Sequence, residues 1–210
     1  VIKINTEKAL NNAENLKKNS SSQKVFFDSL AILKPTQESW KRKLFLLVIE
    51  AIAAIIMAKQ VNTISMTKDI VMVLITILIA LLAIVFTGYA FFQALINDKL
   101  LVVLLSVDDE KKGNLSNTNK YFAEVMVFQL FCLLMNLGAI IATIIMPPEW
   151  FWLSNNVANE ILASILIICL LHCNVESICE MGSFIFNVFQ LFNLHAYSRM
   201  VEINENENGK

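Results

Sequence analysis

Among the ionisable residues inside apolar runs of this sequence, two stand out: Glu50, seven residues after Lys43, and His172, fifteen after Val157. At helical rise these lie about 10 Å and about 8 Å in from one edge of a ~30 Å bilayer core. Ionisable groups at that depth are expensive, and they pair with one another or line a wet cavity. The spacing predicts a Glu50–His172 contact. The other readings are that Glu50 snorkels to the headgroups or lines a hydrated interior.

A polar stripe surrounds His172: Cys169, His172, Cys173, Glu176, Cys179, Glu180, Ser183 and Asn187. Steps of three and four put it on one helix face. Cys, His and Glu are zinc-ligand types, but consecutive turns of one helix seldom surround a metal unaided, and buried Cys packs as a small apolar residue. The stripe reads as bundle-facing, turning toward solvent or a partner after Glu180, with no metal and no cofactor. Gln129 and Asn136, seven apart, share a face. Such amides hydrogen-bond between membrane helices for about 0.6–2 kcal/mol each, or line a pore with Glu50 in an oligomer. Ala51, Ala54 and Ala58 form a small-residue strip suited to close packing. No phosphate-cradling glycine loop, HExxH, nucleophile elbow or CxxC is present, so no enzyme is expected. Neither internal repeats nor Gly/Pro-broken helix pairs point to a transporter.

The elements that position these residues follow from composition. Of 210 residues, 56% are apolar and 17% charged, against about 25% charged in soluble domains. The net charge of −1 gives no sign of direct nucleic-acid binding. The apolar residues fall in four blocks, so the expected fold is all-α: a polytopic membrane protein with four transmembrane helices over about 44–63, 70–89, 121–146 and 157–180. Residues 1–40 form an amphipathic segment with a break at Asn19–Ser22; its lysines, interleaved with apolar residues, suit an anionic lipid surface or the bundle itself. Thr36, after Pro35, is placed to cap the first span. Residues 41–200 form the bundle, and 201–210 read as a disordered tail. The first long apolar run begins at Leu44, so no cleavable signal peptide is expected, and the four cysteines do not suggest a disulfide framework.

With both ends inside, fifteen of the 17 Lys and Arg are cytoplasmic, and only Lys59 and Lys68 lie outside. Trp150 and Trp152, after Pro147-Pro148, suit an interfacial aromatic belt. Helical character from Ile70 to Leu105 and from Val157 to Met200 amounts to about 54 Å and about 66 Å. Helices 2 and 4 therefore extend into the cytoplasm beyond a ~30 Å core. Phe91 and Phe92 follow span 2, while Phe184, Phe186, Phe189 and Phe192 follow span 4. With Glu176 and Glu180 they form a candidate surface for a cytoplasmic partner or for a homo-oligomer, or else they close an intramolecular bundle.

These features point to a non-enzymatic subunit of the inner membrane, a homo-oligomeric sensor or scaffold that recruits a cytoplasmic protein. The alternative is a homo-oligomeric ion channel or membrane-depolarising effector. The four spans, cytoplasmic ends, polar 108–120 loop and cytoplasmic helical extensions resemble KwaA, the membrane-subunit family of the bacterial Kiwa anti-phage system, and the segment GYAFFQALINDKLL (88–101) resembles that of other small bacterial defence-associated membrane proteins. The resemblance is architectural and carries over no individual residue. It implies a homo-oligomeric sensor that responds to phage and works with a cytoplasmic DNA-binding effector.

Overall fold

The structure is a computed structural model and describes residues 10–14, 21–37, 39–96, 98–106, 115–147, 153 and 155–208. Among these residues it is all-α. After a short helical stretch at residues 10–14 come α1 (Ser22–Ser29) and a 3-10 turn (Leu30–Leu33), then α2 (Trp40–Ala58) and α3 (Thr63–Leu95). They are followed by α4 (Asp98–Ser106), α5 (Leu115–Ile145) and α6 (Asn156–Asn208). Three helices are long and apolar enough to cross a membrane: α3, α5 and α6 over Asn156–Val201. That is the make-up of a multi-pass membrane protein. The 19-residue α2 carries Lys41, Arg42, Lys43 and Glu50 and does not meet the same measure of apolarity.

Helix ends follow local chemistry. Thr36 and Ser39 exchange side chain-to-backbone bonds, Ser39 N–H to Thr36 Oγ1 (3.2 Å) and Thr36 N–H to Ser39 Oγ (3.0 Å). This reciprocal bonding closes the turn that leads into α2, in the pattern of a capping box. Thr63 Oγ1 donates to the carbonyls of Met57 (2.8 Å) and Gln60 (2.6 Å), covering acceptors left at the end of α2. Asn155 Oδ1 accepts the Val157 N–H (2.9 Å) and opens α6.

Several boundaries differ from the sequence reading. The first span, expected over 44–63, ends with α2 at Ala58, and α3 starts at Thr63, ahead of the expected residue 70. The single helix expected from Ile70 to Leu105 is two, because α3 stops at Leu95 and α4 starts at Asp98. Asn-Asp favours helix starts over interiors, and Asp98 sits in the first turn of α4, where a negative charge is stabilised. Helix α6 runs to Asn208, into the stretch whose composition suggested a disordered tail; glutamate is a good helix former and adding turns to an existing helix is cheap. Helix α5 begins at Leu115, inside the polar 108–120 segment. Trp150, Trp152, residues 108–114 and Asn19 and Ser20 of the expected 19–22 break lie outside the described residues, while Ser22 already belongs to α1.

The chain groups into two compact units. One comprises residues 30–82 and 128–180, the other residues 1–29, 83–127 and 181–210. This grouping cuts across the 1–40, 41–200 and 201–210 segments read from the sequence. In the first unit, Ala54, Met57 and Ile167 pack with Met66, Ile70 and Leu171, and Leu78, Phe128, Cys132 and Cys173 form a second cluster. Ala54 of the small-residue strip is fully buried there.

In the second unit an aromatic cluster forms the core. Phe122 stacks on Phe92 with centroids 5.6 Å apart and meets Phe184 edge-on at 5.4 Å. Gly88 permits this closeness, since a Cβ there would lie 2.6 Å from Phe184 Cζ. The N-terminal segment docks on this unit at two points. Asn12 Nδ2 donates to the Leu105 carbonyl at 2.7 Å, near the end of α4 where carbonyls lack helical partners. Asp28 on α1 pairs with Lys120 on α5 at 2.9 Å. The hydrogen bond from the Lys120 ammonium holds the Asp28 carboxyl below the usual carboxylate range.

Candidate functional site

Helix α2 turns its charged residues inward. Lys43 and Glu50 are buried, whereas Leu44, Phe45, Val48, Ile49, Ile52 and Ile56 are exposed. The seven-residue step between Lys43 and Glu50 is two helical turns, so both point the same way. On α6, His172 and Glu176 are one turn apart and meet them. Glu50 Oε2 lies 2.9 Å from His172 Nδ1, and Lys43 Nζ lies 3.0 Å from Glu176 Oε2. The pairing order is reversed along the two helices, as antiparallel packing requires. Lys43 also donates to the Ile32 carbonyl, tying the 3-10 turn to the same point.

Burial makes these contacts consequential. The Glu176 side chain is 1% exposed and that of Glu50 5%, while His172 keeps 22%. Buried carboxylates are tolerated only when paired and hydrogen-bonded. Glu50 Oε1 and Glu176 Oε1 are buried without a hydrogen-bond partner among the described residues, so each carboxylate rests on a single oxygen's contact.

Beside the ion pairs lies an amide pair. Asn136 Nδ2 donates to Asn174 Oδ1 (2.7 Å), and Asn174 Nδ2 donates back to Asn136 Oδ1 (3.2 Å). Each amide also bonds its own helix, Asn136 to the Cys132 carbonyl (2.9 Å) and Asn174 to the Leu170 carbonyl (2.7 Å). The Cys132 thiol donates to the Cys173 carbonyl at 3.4 Å, crossing the same α5–α6 contact. Gln129 is buried two turns from Asn136 on α5.

The structure therefore brings Glu50 and His172 together and gives Asn136 a partner that the sequence reading had not named. Three residues expected on a partner surface are internal. Glu176 is the buried partner of Lys43, because it lies one turn from His172 on the face turned toward α2. Phe92 and Phe184 are buried in the aromatic cluster around Phe122, where they bury more area than contact with solvent allows. Phe91, Phe189 and Phe192 are exposed, and Glu180 is half-buried.

Asn174 was missed because it stands about 150° from the middle of the Cys169–His172–Cys173–Glu176 stripe. Lys43 was read only as a residue at the membrane edge, although a basic residue one heptad before Glu50 shares its face. Among the described residues no three His, Cys, Asp or Glu side chains converge as metal ligands, and all four cysteines are free. These contacts bond α2 and α5 to α6. Comparison with known protein families, curated proteins and solved structures finds no match to this chain.

Proposed function

We propose that the chain is a non-enzymatic, four-span subunit of a bacterial inner membrane, with α2, α3, α5 and α6 as spans and both termini cytoplasmic. It assembles as a homo-oligomer and acts as a sensor or scaffold that holds a cytoplasmic protein, as the resemblance to KwaA implies for anti-phage defence.

One observation carries this reading: two of the three polar residues that would line a pore, Glu50 and Asn136, are bonded inside one copy. Glu50 is bonded to His172 and Asn136 to Asn174. Groups so paired bond helices and leave little for a hydrated axis. The same pairing favours α2 as the fourth span. Its buried charges, Lys43 and Glu50, point away from lipid, and its exposed face from Leu44 to Ile56 is apolar, which suits hydrocarbon. Charge placement over the loops then sets both ends inside.

Purification of the full chain from native membranes in mild detergent, followed by native mass spectrometry, tests the proposal. The expected result is a homo-oligomer carrying a stoichiometric soluble protein. A lone monomer contradicts it. A bare oligomer that conducts ions in planar bilayers, with current altered by Glu50→Gln, contradicts it in favour of a channel.

A further inference from the structure

From Met181 to Ser198, α6 runs eighteen residues without an Asp, Glu, Lys or Arg. Its two faces have opposite fates. Met181, Phe184, Leu191 and Ser198, at steps of three and seven, are buried. Ile185, Phe189, Phe192, Ala196, Met200 and Ile203, at steps of three and four, are exposed, flanked by exposed Phe186 and Tyr197. Such steps hold one direction along about 27 Å of helix.

The seven large side chains of this stripe are each 43% to 64% exposed. At about 100 Å² apiece, they leave about 700 Å² of apolar surface uncovered. That exceeds the ~300–600 Å² of a typical monomer's largest patch. It is close to the ~800 Å² each partner gives to a standard interface.

We propose that this stripe packs against the same stripe of a second copy of the chain, parallel and in register. The inference rests on the membrane-subunit reading above and names the surface through which copies meet. Two arguments select this occupant. Copies inserted in one orientation are related by axes along the membrane normal, so equal residues lie at equal depth and stripe meets stripe. In a parallel self-contact any charge comes close to its own like, and a stripe free of charge from Met181 to Ser198 avoids that repulsion. A charged soluble partner finds no complementary group along those residues.

Oxidative cross-linking of the full chain in native membranes tests this. Cys169 and Cys179 are first replaced by alanine, and single cysteines are then placed at Phe189, Phe192 or Ala196, with Ser183→Cys as an exposed control off the stripe. Homodimer cross-linking at the three stripe positions is expected to exceed the control by about tenfold or more, the gap expected when only one face is in contact. In parallel, Phe189→Glu with Phe192→Glu is expected to dissociate the oligomer at unchanged helical content, while leucine at both positions preserves it. Equal, low cross-linking at all four positions in an intact oligomer overturns the stripe and leaves the oligomeric reading standing. A monomer in native membranes overturns both. Cross-links from the stripe to a different protein, or labelling of the stripe by a lipid-soluble probe without homodimers, also overturn it by assigning another occupant.

Discussion

Replacing Lys43 with methionine keeps most of the side chain's length and removes only the ammonium. The Glu176 carboxylate, 1% exposed, then loses its 3.0 Å partner on Oε2, and its Oε1 has no hydrogen-bond partner to take up the charge. Breaking a buried pair from one side costs about 3–5 kcal/mol, because an uncompensated charge stays behind. Loss of the bond to the Ile32 carbonyl acts in the same direction and loosens the 3-10 turn. Against a total stability of about 5–15 kcal/mol, this single change removes about a fifth or more of what holds the fold.

The reverse change, Glu176→Leu, is expected to cost less, since Lys43 keeps the Ile32 carbonyl and stands near the start of α2. The double variant Lys43→Met/Glu176→Leu leaves no orphaned charge. It is expected to return to within about 2 kcal/mol of the parent, since buried pairs replaced by apolar groups are often close to neutral. The assay is reversible unfolding in mixed detergent micelles, followed by circular dichroism, through a double-mutant cycle. A coupling above about 2 kcal/mol is expected. Effects that add to within about 0.5 kcal/mol would refute the ion pair as a link between α2 and α6.

Three further outcomes are expected. Asn136→Leu destabilises by about 1 kcal/mol, and adding Asn174→Leu costs little more, because one reciprocal amide pair is removed either way; the same unfolding assay reads both. Gly88→Ala drives a Cβ against the buried Phe184 ring and costs about 1–3 kcal/mol, with Phe184→Leu recovering part of the loss. The Asp28–Lys120 contact depends on pH. Asp28 titrates below its usual value, so its contribution is fully present above about pH 4 and is lost as pH falls through the lower folded value. Hydrogen exchange at α1 amides should therefore accelerate in acid, and Asp28→Asn should abolish that dependence.

Much of the fold was legible because a bilayer imposes simple rules: apolar runs of fixed length, charges at the edges and amides facing amides. Glu50 and His172 were readable for that reason, each an ionisable residue at similar depth in an apolar run. What escaped depended on rotation about a helix axis. Glu176 and Glu180 are one turn apart, yet one is sealed against Lys43 and the other half-buried. Phe91 and Phe92 are adjacent, so a 100° turn sends one outward and the other into the Phe122 stack. Periodicity gives a stripe but not which flank of the stripe a neighbour covers. The break at Ile96 escaped for a different reason, since the apolar pattern of the sequence continues across it to Leu105.

The central claim is that α2 crosses the membrane with Lys43 and Glu50 turned inward, and span parity tests it most directly. Single cysteines at Ser21, Val61 and Asn204, in the full chain lacking Cys169 and Cys179, can be probed with a membrane-impermeant thiol reagent on intact and lysed spheroplasts. Val61, 99% exposed beyond the end of α2, should label in intact cells. Ser21 and Asn204 should label only after lysis, as four spans require. Labelling of one terminal position but not the other in intact cells would mean an odd number of spans, leave α2 outside the membrane and contradict the account.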